Sequence, residues 1–219
     1  MNDRSPHTSL SKYCLARSKA NILMISDALV AASRRDLLKF VLGLAGLLES
    51  GPLWAQTASD CPAILSHSVP RLQDNKPQDL CQYTGKVLLV VNTASYCGYT
   101  KQFQGLEALN ARYAARGLVV LGFPSNDFQQ EDADAKKIAD VCFNTYGVKF
   151  PMFVTVPVRG KDAIPLFAQL ARATGKQPAW NFNKYLVDRQ GRPVAYYPSD
   201  TPPDSSELTG AIEKALALR

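Results

Sequence analysis

Histidine is nearly missing from this chain: only His7 and His67 occur among 219 residues. That scarcity excludes a His-rich zinc site. A cysteine–histidine nucleophile pair would have to use His67, which stands in a polar N-terminal stretch. No C-x-x-C pair is present, which argues against a simple dithiol oxidoreductase. No Gly-rich phosphate loop follows any apolar run. Charge of one sign is also in short supply. The net charge is +6, but residues 1–55 carry seven Lys/Arg against four Asp/Glu. The rest holds 18 basic and 15 acidic residues, too even a balance to imply nucleic acid, and no basic stripe with interleaved aromatics appears. No apolar run is long enough for a permanent membrane span.

What is present begins with an N-terminal extension, residues 1–55. Ser33-Arg-Arg-Asp-Leu-Leu-Lys-Phe40 opens an apolar stretch that ends before Gly51-Pro52-Leu-Trp-Ala55. A charged start, a short apolar region and a small residue at a cleavage point describe a secretory signal. The paired arginines resemble the twin-arginine export signal. Met24 is the expected true start, Ala55 the expected cleavage point, and the periplasm the expected location. Residues 56–219 then form one domain. A disordered or anchoring tail is the alternative reading of the extension.

Export changes what cysteine is for, because an oxidising compartment favours disulfides. Of Cys14, Cys61, Cys81, Cys97 and Cys142, the first falls in the removed segment. Cys61 and Cys81 flank a short stretch ahead of the first strong strand, and a disulfide between them is expected. Two free buried thiols are the alternative.

From Lys86 onward the pattern alternates strand and helix. Val87 to Val91 is a continuous apolar run, as in a strand buried on both faces. Phe103, Leu106, Leu109 and Tyr113 recur at helical spacing, with Gly117 closing the helix. Leu118 to Phe123 reads as a second strand. A helix carrying Ile138, Val141 and Cys142 follows, capped by Asp132 or Asp134. Residues 150–156 read as a third strand, and Pro165 starts a helix that Gly175 ends. Residues 183–187 and 194–197 form a hairpin, and Ser205 or Ser206 begins the last helix. This order predicts an α/β domain with a central mixed sheet and helices on both faces.

Cys97 ends the first strand run with a helical pattern behind it. Turn amides and the helix dipole there favour thiolate, the form that attacks electrophiles. Gly85-Lys-Val-Leu-Leu-Val-Val-Asn-Thr-Ala-Ser-Tyr-Cys-Gly-Tyr-Thr100, Gly117-Leu-Val-Val-Leu-Gly-Phe-Pro-Ser-Asn-Asp-Phe128 and Trp180-Asn-Phe-Asn-Lys-Tyr-Leu-Val187 resemble, in order and spacing, the three motifs of the glutathione peroxidase family in its cysteine-containing form. The resemblance covers residues 85 to about 215 and implies a thioredoxin-like fold. It implies that Cys97 is the peroxidatic nucleophile, with Trp180 and Asn181 from the third motif. The family's glutamine precedes a glutamate after the second motif. Here the stretch Phe128-Gln-Gln-Glu131 is one residue shorter; Gln130 is the choice because it directly precedes Glu131, and Gln129 is the runner-up.

The residue types suit the chemistry. Thiolate attack on a peroxide gives a sulfenic acid and releases water or an alcohol. Charge then moves from sulfur to oxygen, and neutral donors can follow it without trapping the thiolate in a salt bridge. No cofactor or metal is called for. Cys142 has two readings: a buried small hydrophobe, or the resolving cysteine of relatives that use thioredoxin. Ser125 stands where many relatives carry another cysteine. Gly175-Lys-Gln-Pro-Ala179 leads almost directly into Trp180, so the loop of tetrameric, glutathione-using members is missing. The expected protein is a monomer reduced by a thioredoxin-like protein rather than glutathione. A redox sensor or relay is the alternative function. A peroxiredoxin is disfavoured, since Ala94 and Val90 stand where that family carries a hydroxyl residue and a proline.

Overall fold

The computed structural model describes residues 61–218. The expectations about the extension, Met24, Cys14 and the cleavage point lie outside the described residues. The first elements are a small antiparallel hairpin, β1 (Ser68–Pro70) and β2 (Pro77–Asp79). A disulfide joins Cys61 to Cys81 just beyond it, with Cα atoms 5.3 Å apart. The sequence reading missed this hairpin, because three-residue strands carry no usable periodicity.

The central sheet has the order β4-β3-β5-β6. β3 (Val87–Thr93) lies parallel to β4 (Leu118–Pro124) and antiparallel to β5 (Lys184–Val187), which pairs antiparallel with β6 (Pro193–Tyr197). All seven residues of β3 are buried. Their alternation sorts them between two cores, since successive side chains of a strand face opposite ways. Val87, Leu89 and Val91 meet Phe103, Leu106 and Leu109 of α1 (Gln102–Tyr113) and Leu208 and Ile212 of α4 (Ser206–Ala217). Leu88 and Val90 belong with Leu166, Phe167 and Leu170 of α3 (Pro165–Thr174). The expected mixed sheet with helices on both faces, a thioredoxin-like fold, is what the chain forms.

The stops and starts are chemical. Gly117 closes the turn after α1 at φ 99°, a left-handed value that a Cβ disfavours. Asp134 caps α2 (Ala135–Ala139) by accepting from the Lys136 N–H. The helix then widens into a π-turn, Asp140–Thr145, which holds Cys142.

One expected strand is not formed. Residues 150–156 run extended beside β4 but make only isolated bridges, Gly122 with Met152 and Arg71 with Phe153. Pro151 on one side of the Gly122–Met152 bridge and Pro124 on the other have no N–H with which to extend the ladder. Gly122 permits the close approach, for a Cβ there would collide with the Met152 sulfur.

Candidate active site

Cys97 lies in the loop between β3 and α1. Thr100 ties that loop shut: its Oγ1 accepts from the Cys97 N–H at 3.1 Å and lies 3.0 Å from Ala94 O and 2.7 Å from Cys97 O, both acceptors. The Tyr99 N–H donates to Cys97 Sγ at 3.5 Å. The helix itself starts at Gln102, so an amide of the preceding turn, not the first helical turn, addresses the sulfur. The Cys97 residue is 7% exposed.

The loop after β4 is stitched to the residues just before Cys97. Gln130 O accepts from the Tyr96 N–H at 3.0 Å. Glu131 Oε1 accepts from the Ser95 N–H at 3.1 Å and the Asp132 N–H at 2.9 Å. Burial holds the Glu131 carboxyl above its ordinary range, against the pull of these donors. Asp132 goes the other way: the Asp134 N–H and then the Tyr96 hydroxyl, 2.7 Å from Oδ2, lower it. Gln129 takes a left-handed conformation, φ 57°, and is exposed. That turn absorbs the shortened spacing and leaves Gln130 facing the third motif.

Trp180 and Asn181 form the turn leading into β5. Asn181 is fully buried, and its Nδ2 donates to Gln130 Oε1 at 3.0 Å. Its Oδ1 is buried with no hydrogen-bond partner. Trp180 is 41% exposed, its ring 5.3 Å from that of Phe128. The fold therefore joins Asn181 directly to Gln130, joins Gln130 to the Cys97 loop through Tyr96, and places Trp180 beside Phe128 in the same loop. Gln130, and not Gln129, is the residue in contact with Asn181.

Cys142 is buried, and Cys97 belongs to the same apolar cluster. Burial, with a smaller contribution from the Glu131 charge, pushes its thiol up to about 12. His67 is engaged elsewhere: its Nε2 lies 2.8 Å from Gln169 Nε2 on α3. Among the described residues no hydrogen bond joins His67 to Cys97.

The sequence reading missed Asn92 and Ser199, two buried polar residues that hold the Trp180–Asn183 turn. Asn92 carried a signal, for it interrupts an otherwise apolar strand. Ser199 carried none. Glu131 served only as a landmark for the glutamine.

The family profile described as glutathione peroxidase matches residues 65–171. The chain is 47% identical over 154 residues to a Synechocystis protein named hydroperoxy fatty acid reductase gpx1, covering 65% of this chain and 90% of that one. It is 42% identical over 153 residues to the glutathione peroxidase-like peroxiredoxin gpx1 of Schizosaccharomyces pombe, covering 67% of this chain and 95% of the relative. Among solved structures, T. cruzi GPX1 superposes with a TM-score of 0.56 at 31% identity, covering 70% of this chain and 96% of that one. The chain belongs to the glutathione peroxidase family.

Proposed function

We propose that this protein is a thiol peroxidase that reduces hydrogen peroxide and organic hydroperoxides through Cys97. The observation that carries the reading is the junction of the three motifs: the Cys97 loop, Gln130 and Asn181 are held together by hydrogen bonds across the sheet end. Cys97 sulfur attacks the terminal peroxide oxygen. The O–O bond breaks, sulfur becomes a sulfenic acid, and the leaving oxygen takes a proton to depart as water or an alcohol. Gln130 Oε1 already accepts from Asn181. Its Nε2 is therefore the end of that amide able to donate to developing charge, together with the Trp180 indole N–H. Such a donor lowers the barrier by about 3 kcal/mol where it is pre-aimed.

Cys142 then resolves the sulfenic acid, giving a Cys97–Cys142 disulfide and water. Its burial requires the π-turn to open first, and such irregular turns are local weak points of helices. A thioredoxin-like dithiol is the favoured reductant, supported by Cys142 and by the short connection from Gly175 to Trp180. The same short connection supports a monomer. The twin-arginine-like Ser33–Phe40 segment and the Cys61–Cys81 bond support export to the periplasm, to be tested by N-terminal sequencing of the mature protein.

A steady-state assay tests the whole reading. Peroxide consumption should continue for many turnovers with thioredoxin, exceed the rate with glutathione, and vanish in Cys97→Ser. Consumption that stops near one equivalent would instead favour a sensor.

A further inference from the structure

The third-motif turn is held in a costly conformation. Phe182, bulky and fully buried, sits at φ 62°, a left-handed value rare for a large side chain. Such a conformation persists only where the surroundings over-determine it. Here three successive main-chain carbonyls each accept from a different buried side chain. Asn92 Nδ2 donates to Trp180 O at 2.9 Å. Ser199 Oγ donates to Asn181 O at 2.6 Å. Lys184 Nζ donates to Phe182 O at 2.8 Å.

Asn92 does most of this. It is fully buried near the end of β3. Besides its bond to Trp180 O, its Oδ1 accepts from the Asn183 N–H at 3.1 Å, and its own carbonyl accepts from the Phe182 N–H at 2.6 Å. A primary amide carries a donor and an acceptor side by side, as a peptide does. The Asn92 side chain thus acts as an extra peptide unit that grips the turn at both ends. Ser199 Oγ grips it from the β6 side, also accepting from Asn183 Nδ2 at 2.8 Å. With the main chain fixed, the Asn181 carboxamide is delivered to Gln130.

We propose that Asn92 and Ser199 are positioning residues of the peroxide site, holding the Trp180–Asn183 main chain so that the Asn181 amide meets Gln130 and the indole stays against Phe128. Neither is assigned a contact with substrate. The proposal rests on the thiol peroxidase reading for its catalytic consequence and on geometry alone for the clamp.

A double-mutant cycle in the full chain tests it. The variants are Asn92→Ala, Asn181→Ala and both together, with stopped-flow measurement of Cys97 oxidation by hydrogen peroxide. Asn92→Ala should slow oxidation roughly 10- to 100-fold, the scale of a misplacement of about 1 Å. The double variant should be no slower than the worse single one, because both changes disable the same group. Alkylation of Cys97 by iodoacetamide needs no amide escort and should stay within about twofold of the unmodified protein. Oxidation rates that do not change, or losses that multiply, would overturn the proposal. Should Asn92→Ala fail to fold, Ser199→Ala removes the Asn181 O donor and the acceptor of Asn183 Nδ2 and should slow oxidation several-fold with alkylation unchanged. Amide exchange at Phe182 and Asn183 reads the clamp without turnover. It should quicken in whichever variant folds, and unchanged exchange overturns the clamp. An unmodified protein inert to peroxide would remove the catalytic consequence and the peroxidase reading together, while the exchange result still decides the clamp.

Discussion

Asn181 Nδ2 donates to Gln130 Oε1 at 3.0 Å, across a sequence separation of 51 residues. That one bond decides how both amides can act. Gln130 has spent its oxygen and keeps its Nε2 hydrogens, whereas Asn181 keeps a buried Oδ1 without a partner. In the thiol peroxidase proposed above, the Gln130 Nε2 hydrogens are the ones left to stabilise charge on the departing oxygen.

Gln130→Ala is expected to slow oxidation of Cys97 by peroxide roughly 100-fold. Gln129→Gly is expected to leave it near the unmodified rate, since glycine keeps the left-handed turn at no steric cost. Stopped-flow fluorescence on both variants checks the assignment, and a reversal of the two effects would move the role to Gln129.

Cys142→Ser should retain the first oxidation by one equivalent of peroxide and lose recycling by thioredoxin. In the reduced protein Cys142 should resist alkylation at neutral pH, because burial pushes its thiol up to about 12 and seals it from reagent. Timed alkylation with mass spectrometry separates Cys142 from Cys97. Unchanged amide exchange over Asp140–Thr145 in a fully disulfide-bonded protein would sink the opening of the π-turn.

Glu131→Gln should flatten the pH dependence of stability. Both main-chain donors use Oε1, so an amide oxygen can replace the carboxylate oxygen. Burial raises the folded carboxyl above its unfolded value of 4.5. The native state therefore holds the proton more tightly, and stability present below the unfolded value is lost as pH rises through the folded one. The variant lacks that loss, so its advantage should grow over this window and then level off. Urea unfolding from roughly pH 4 to 8 measures it. An advantage that shrinks with rising pH would contradict the sign.

Removing the disulfide by Cys61→Ala with Cys81→Ala should cost about 3 kcal/mol, the loop-entropy scale for a bridge across a 20-residue separation. The rate of Cys97 oxidation should not change. Denaturant unfolding and the stopped-flow assay check the two halves independently.

Much of the sheet was legible from the chain because its strands are local and strongly apolar. Val87 to Val91 and Leu118 to Phe123 read as unbroken apolar runs, and the stops at Gly117 and Gly175 follow from left-handed caps. The strand expected at residues 150–156 failed for a local reason, the missing Pro151 N–H, and a non-local one, the missing N–H of Pro124 on the neighbouring strand. The helix read through Ile138 and Cys142 is real only in its first turn as an α-helix. From Asp140 it widens into the π-turn that holds the buried Cys142, and periodicity does not register that change.

The same division runs through the site. Residue types and order, through family motifs, offered Cys97, Trp180, Asn181 and a glutamine among two neighbours as candidates, because a thiol and neutral donors are chemical identities written in the chain. Which glutamine meets Asn181, which end of each amide stays free, and what surrounds the left-handed Phe182 were decided by the tertiary structure. Those outcomes depend on hydrogen bonds between Asn92, Ser199 and a turn brought beside them by the pairing of β3, β5 and β6. Contacts of that kind exist only once distant segments are folded together.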